Sequence, residues 1–61
     1  MPEVIVYALT GSTAEQKKKL MQSITESVVD SIGVRPEHVT VQIIESPPDS
    51  KAKGGVPFSE R

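Results

Sequence analysis

The sequence has no cysteine and no tryptophan, and only one phenylalanine, one tyrosine and one histidine. Each scarcity closes a route. Without cysteine there is neither a disulfide nor a thiolate metal site. His38 alone cannot build a zinc centre. Neither charge sign is in surplus: seven basic against eight acidic side chains leave a net charge of -1, which argues against a nucleic-acid protein. No apolar run approaches the ~20 residues that cross a bilayer. Glu3 stands where a secretory leader would be basic. A cytoplasmic protein is expected, with no nucleic-acid or membrane partner.

At 61 residues the chain forms one domain, residues 1–61. A domain of this size buries only about 60% of the surface its unfolded chain exposes. Disulfides, metals and association are the usual remedies, and the first two are excluded by composition. Association of copies is therefore expected.

What is present has a clear order. Val4-Ile5-Val6-Tyr7-Ala8-Leu9 is a continuous apolar run with β-branched and aromatic members, and predicts a strand over about 3–10. Its lack of alternation implies cover on both faces. One helix covers one face, so the other needs a partner. Gly11 breaks the run. Thr13 with Gln16, or Ser12 with Glu15, offers a capping box, and a helix is predicted over about 14–32. Leu20, Ile24, Val28 and Ile32, with Met21 beside them, supply its apolar stripe. Lys17, Lys18 and Lys19 read as a solvated face. Gly33 suits the left-handed position that closes a helix.

Arg35-Pro36-Glu37 reads as a turn into a second strand over about 38–45. There Val39, Val41 and Ile43 share one face, while Thr40, Gln42 and Ile44 share the other. Strand, helix and strand make an α/β unit, a short βαβ with parallel strands and an expected right-handed crossover. Residues 46–61 form a tail or small hairpin. It opens on Ser46-Pro47-Pro48, continues through a flexible basic Lys51-Ala52-Lys53-Gly54-Gly55, and ends on Val56-Pro57-Phe58-Ser59-Glu60-Arg61. Phe58 reads as an anchor on a neighbouring subunit.

Pro2 precedes the first strand directly. If Met1 is removed, Pro2 presents a secondary amine, and α-amino groups titrate at roughly 7.7–8.0 before any perturbation. Burial or neighbouring cations lower that value towards the range where a general base works best. Pro2 is thus the one candidate catalytic base in a chain otherwise poor in such groups.

The whole chain resembles the 4-oxalocrotonate tautomerases. The similarity lies in Pro2 heading a strand, Gly11, the helix start Thr13-Ala14-Glu15-Gln16-Lys17, the strand ending Ile43-Ile44-Glu45, and the closing Gly54-Gly55-Val56-Pro57-Phe58-Ser59-Glu60-Arg61. It implies a βαβ fold paired into dimers with a four-stranded sheet, and a homohexamer built as a trimer of dimers, or a hetero-oligomer. It implies Pro2 as a general acid/base on an unsaturated or 2-oxo carboxylic acid, and no metal or organic cofactor.

Three positions depart from the family pattern. Characterised members carry an arginine where this chain has Ser12, another where it has Thr40, and an aromatic residue at or next to Lys51. Ser12, Thr40 and Lys51 are therefore the substrate-binding candidates. Lys51 offers a point charge, and the two hydroxyls offer neutral hydrogen bonds, which are weaker than charge-assisted ones. Two alternatives stay open: a non-catalytic subunit of a tautomerase-like oligomer, and a hydratase or dehalogenase in which Glu45 positions water.

Overall fold

A computed structural model describes residues 1–61. The elements follow in the order β1 (Glu3–Leu9), α1 (Ala14–Ile32), β2 (Thr40–Ser46), β3 (Ala52–Lys53) and β4 (Val56–Pro57), with single 3-10 turns at Pro36–His38, Pro48–Ser50 and Phe58–Glu60. β1 and β2 pair in parallel from Glu3 with Thr40 to Leu9 with Ser46, and β3 pairs antiparallel with β4. The expected βαβ unit is present.

The helix runs between the two signals read from the sequence. Of the two possible capping boxes the Thr13–Gln16 pair forms: the Gln16 amide donates to Thr13 Oγ1 at 3.1 Å, and the Thr13 amide donates to Gln16 Oε1 at 2.9 Å. Two orphan amides of the first turn are thereby satisfied. Gly33, at φ 79°, closes the helix with its amide on the Val29 carbonyl. Thr13→Ala removes one of these bonds and is expected to cost about 1 kcal/mol. Urea titration at fixed protein concentration, with unchanged slope, would show it.

The apolar stripe of α1 is shifted from the expected one. Met21, Ile24, Val28 and Val29 are half-buried, whereas Leu20 is exposed and Ile32 keeps 64% of its surface. A residue every four positions advances about 40° beyond a full turn. From Leu20 to Ile32 the drift reaches about 120°, so the row crosses the face on the sheet and leaves it at both ends.

The second strand begins two residues later than expected, at Thr40. Pro36 fixes φ and suits the first position of a helical turn, so residues 36–38 coil into a 3-10 turn and His38 lies outside the sheet. The basic segment at Lys51–Gly55 is a hairpin rather than a flexible stretch. Gly54 and Gly55 both take positive φ, 63° and 81°, as a two-residue primed turn requires.

The two faces of the sheet differ. Val4, Val6 and Ala8 of β1, with Val41 and Ile43 of β2, are half-buried on the side of α1, while Ile5, Tyr7 and Leu9 alternate onto the opposite, uncovered face. Tyr7 is 69% exposed there and Ile5 43%. No residue of the chain falls into the buried class. A folded monomer of this mass has roughly 3,900 Å² of accessible surface, and this chain has 4710 Å². The expected radius of gyration is about 10.5 Å, against 14.5 Å here, with extents of 42 × 24 × 14 Å. One copy is a thin two-layer slab with one apolar face and the outer edge of β1 left open.

Candidate active site

Pro2 sits immediately ahead of β1 and is half-buried. Its carbonyl accepts from the Thr40 amide at 3.1 Å, which extends the ladder by one step beyond Glu3. This bond fixes the proline backbone at the corner of the sheet. Thr40 opens β2 opposite Glu3, on the uncovered face of the sheet. Pro2 and Thr40 are therefore brought together. Met1 is 94% exposed.

Ser12 and Lys51 lie elsewhere. β1 has seven residues, and at ~3.3 Å per residue it carries the chain about 20 Å away from Pro2 before the turn that holds Ser12. Because β2 runs parallel to β1, it also ends there, and the Thr10 amide donates to the Ser46 carbonyl at 3.0 Å. Lys51 follows from that same end, half-buried, through the Pro48–Ser50 turn. Within one copy the candidates thus fall into two halves. Pro2 with Thr40 marks one end of the sheet, and Ser12 with Lys51 the other.

Glu45 also belongs to the far end. It points to the helix side, where Lys17 Nζ meets its Oε1 at 2.9 Å. This partly exposed pair joins α1 to β2 and leaves Glu45 no free role beside Pro2 of its own chain. Glu45→Gln is expected to keep kcat within about twofold and to change stability by less than about 1 kcal/mol. Steady-state kinetics and a urea titration measure the two.

One cation that the sequence did not single out as a ligand is held by the tail. Arg61 Nη2 donates to the Lys53 carbonyl at 3.3 Å, and its guanidinium carbon lies 5.4 Å from the Phe58 ring centre. Phe58 in turn donates its amide to the Lys51 carbonyl at 2.8 Å. The signal for it was in the charge distribution: residues 51–61 hold three cations against one carboxylate, and the first 50 residues hold four against seven.

A groove of ≈ 390 Å³ runs between β1 and α1, lined by Val4, Ile24, Val28, Ile32 and the hydroxyls of Ser23, Ser27 and Ser31. It contains no titratable group. No three His, Asp or Glu side chains are grouped to hold a metal ion, and no helix is long and apolar enough to cross a membrane.

Over residues 2–61 the chain matches the family model described as tautomerase enzyme. It belongs to the tautomerase family. The resemblance read from the sequence is thereby established, and the protein is an isomerase of the keto–enol kind. A probable tautomerase of Bradyrhizobium diazoefficiens is 44% identical over 61 residues, covering 100% of this chain and 91% of that protein. The 2-hydroxymuconate tautomerase of Bacillus subtilis is 38% identical over 60 residues, 98% of this chain and 97% of its own. Among solved structures, the heterohexamer 4-oxalocrotonate tautomerase of Chloroflexus aurantiacus superposes with a TM-score of 0.90 at 27% identity, covering 98% of this chain and 97% of that one.

Proposed function

We propose that this tautomerase moves a proton within an unsaturated or 2-oxo carboxylic acid, with the Pro2 amine as the base and no cofactor, once Met1 has been removed. One observation carries the reading: in a member of the tautomerase family, the residue heading β1 is a proline held at the sheet corner by Thr40. The amine takes the proton of a dienol hydroxyl, the electron pair shifts along the conjugated chain, and the resulting ammonium returns the proton to carbon. While Met1 is attached, the same nitrogen is an amide and has no basicity.

The working unit is an assembly of copies, for which a homohexamer of three dimers is the proposed form. The uncovered Ile5, Tyr7 and Leu9, and the open edge of β1 with no proline or charge to protect it between Val4 and Leu9, support this reading. So does the separation of Pro2 from Ser12 and Lys51 within one copy. The substrate probe is 2-hydroxymuconate, named for the Bacillus subtilis relative. Ketonisation followed by ultraviolet absorbance, in wild type and in Pro2→Ala, tests the assignment.

A second reading has two observations in its favour. Ser12 and Thr40 are neutral where the family resemblance leads one to expect arginines, and one structural neighbour is a heterohexamer. This chain would then be the non-catalytic partner in a mixed assembly. Turnover by the chain expressed alone excludes that reading.

A further inference from the structure

The tail hairpin carries a concentration of unpaired positive charge built around Phe58. Only two ion pairs form in the chain, Lys17 with Glu45 and Arg35 with Glu37. Lys51, Lys53 and Arg61 belong to neither. The three are tied together by backbone and ring. Lys51 is bonded through its carbonyl to the Phe58 amide, Lys53 through its carbonyl to Arg61 Nη2, and the Arg61 guanidinium lies over the Phe58 ring. The glycine turn at Gly54-Gly55 closes this unit. A guanidinium has five N–H donors in a rigid fork, and Arg61 spends one on Lys53. Stacking on an aromatic face and one backbone bond restrain the fork while the other donors stay free, which suits a carboxylate.

We propose that Lys51, Lys53 and Arg61 form the carboxylate-binding half of the tautomerase site, with Arg61 as the fork, and that they serve Pro2 of another copy. The proposal rests on the reading of Pro2 as the base. Two physical requirements support it. An enolate forming beside Pro2 needs positive charge or donors aimed at it, and the neutral Ser12 and Thr40 supply none of the charge. The tail leaves from the sheet end opposite its own Pro2, and its elements pack mainly on one another, so the cations are free to meet a neighbour. This cluster takes an anionic substrate, and a carboxylate before any neutral ketone.

Arg61→Gln is expected to lower kcat/KM for 2-hydroxymuconate about tenfold, mostly through KM, the worth of one charge-assisted hydrogen bond. Arg61→Lys, which keeps the charge and loses the fork, recovers part of that loss. The double variant Lys51→Gln/Arg61→Gln supplies the decisive arm. It is co-expressed with Pro2→Ala, a tag on one chain being used to purify mixed assemblies. Random mixing leaves about a quarter of the sites with an intact Pro2 from one copy and an intact tail from another. Activity well above both parent assemblies is the expected result. Mixed assemblies no more active than their parents, failure of the two chains to co-purify, or an unchanged KM in Arg61→Gln overturns the proposal. A wild-type chain without turnover, or a fully active Pro2→Ala, instead overturns the reading beneath it.

Discussion

With Pro2 as the proposed base, blocking its nitrogen is expected to remove the general-base contribution, a loss of about 10²–10⁴ in kcat. An N-terminal extension that cannot be trimmed achieves this without changing any residue of the fold. Pro2→Ala is the milder version. Its trimmed form still presents an amine, but the ring that holds the nitrogen at the sheet corner is gone, and a fall near the lower end of that range, about 10², is expected. Both effects are expected in kcat more than in KM, because the proposed carboxylate-binding residues are untouched. The pH profile separates the two variants. In wild type and in Pro2→Ala, kcat/KM falls towards acid, since a protonated amine cannot accept a proton. In the extended protein that limb is absent, since an amide nitrogen does not titrate. Measurement of initial ketonisation rates across pH, with the N-terminus of each sample verified by mass, reads all three effects. Equal rates for extended and trimmed protein would contradict the assignment.

Ile5→Lys is expected to dissolve the proposed assembly and most of the fold with it. Ile5 lies mid-strand on the uncovered face, between Glu3 and Tyr7 and opposite Gln42. On a lone slab it is surface, and a lysine there changes stability by no more than about 0.5 kcal/mol. In an assembly it faces another copy, and an unpaired ammonium placed there costs several kcal/mol. A chain of this length has roughly 3–9 kcal/mol of stability in all, and this one has no residue in the buried class to draw on. The substituted chain is therefore expected to sediment as monomer at micromolar concentration, with circular dichroism showing most of the helix lost. A folded monomer of Ile5→Lys, or a wild type that is itself a stable monomer, contradicts the account of the fold.

The sequence was most legible where structure is local. Thr13, Gln16 and Gly33 carry the ends of α1 in their own side chains or lack of one, and the helix runs between the bounds they mark. β1 was legible because six apolar residues in succession have little other use. Legibility failed at a turn, a short hairpin and the ends of the helix stripe. Pro36 pulled His38 into a turn, because its fixed φ suited a helical start better than a strand. The hairpin of β3 and β4 has two residues a side, too few for any periodicity to show. The row from Leu20 to Ile32 looked like one face, yet its drift around the helix was enough to expose both ends.

The candidates for the site were legible one by one, and their arrangement was not. Pro2 stood out by position and chemistry, and Ser12, Thr40 and Lys51 by resemblance. That Thr40 lies beside Pro2, while Ser12 and Lys51 lie a strand's length away, follows from the parallel crossover. Linear spacing gave no hint of it, since Ser12 is far closer to Pro2 along the chain than Thr40 is. Arg61 stood out only as one of two arginines, because its contacts with Phe58 and the Lys53 carbonyl form only once the hairpin brings them together.

The most direct test of the account is the intact mass of the active enzyme, taken on protein purified by its tautomerase activity from native expression. The account predicts a chain lighter by one methionine, starting at Pro2, with activity in proportion to that species. Active protein whose mass retains Met1 would contradict it, because no basic nitrogen would then stand at the head of β1.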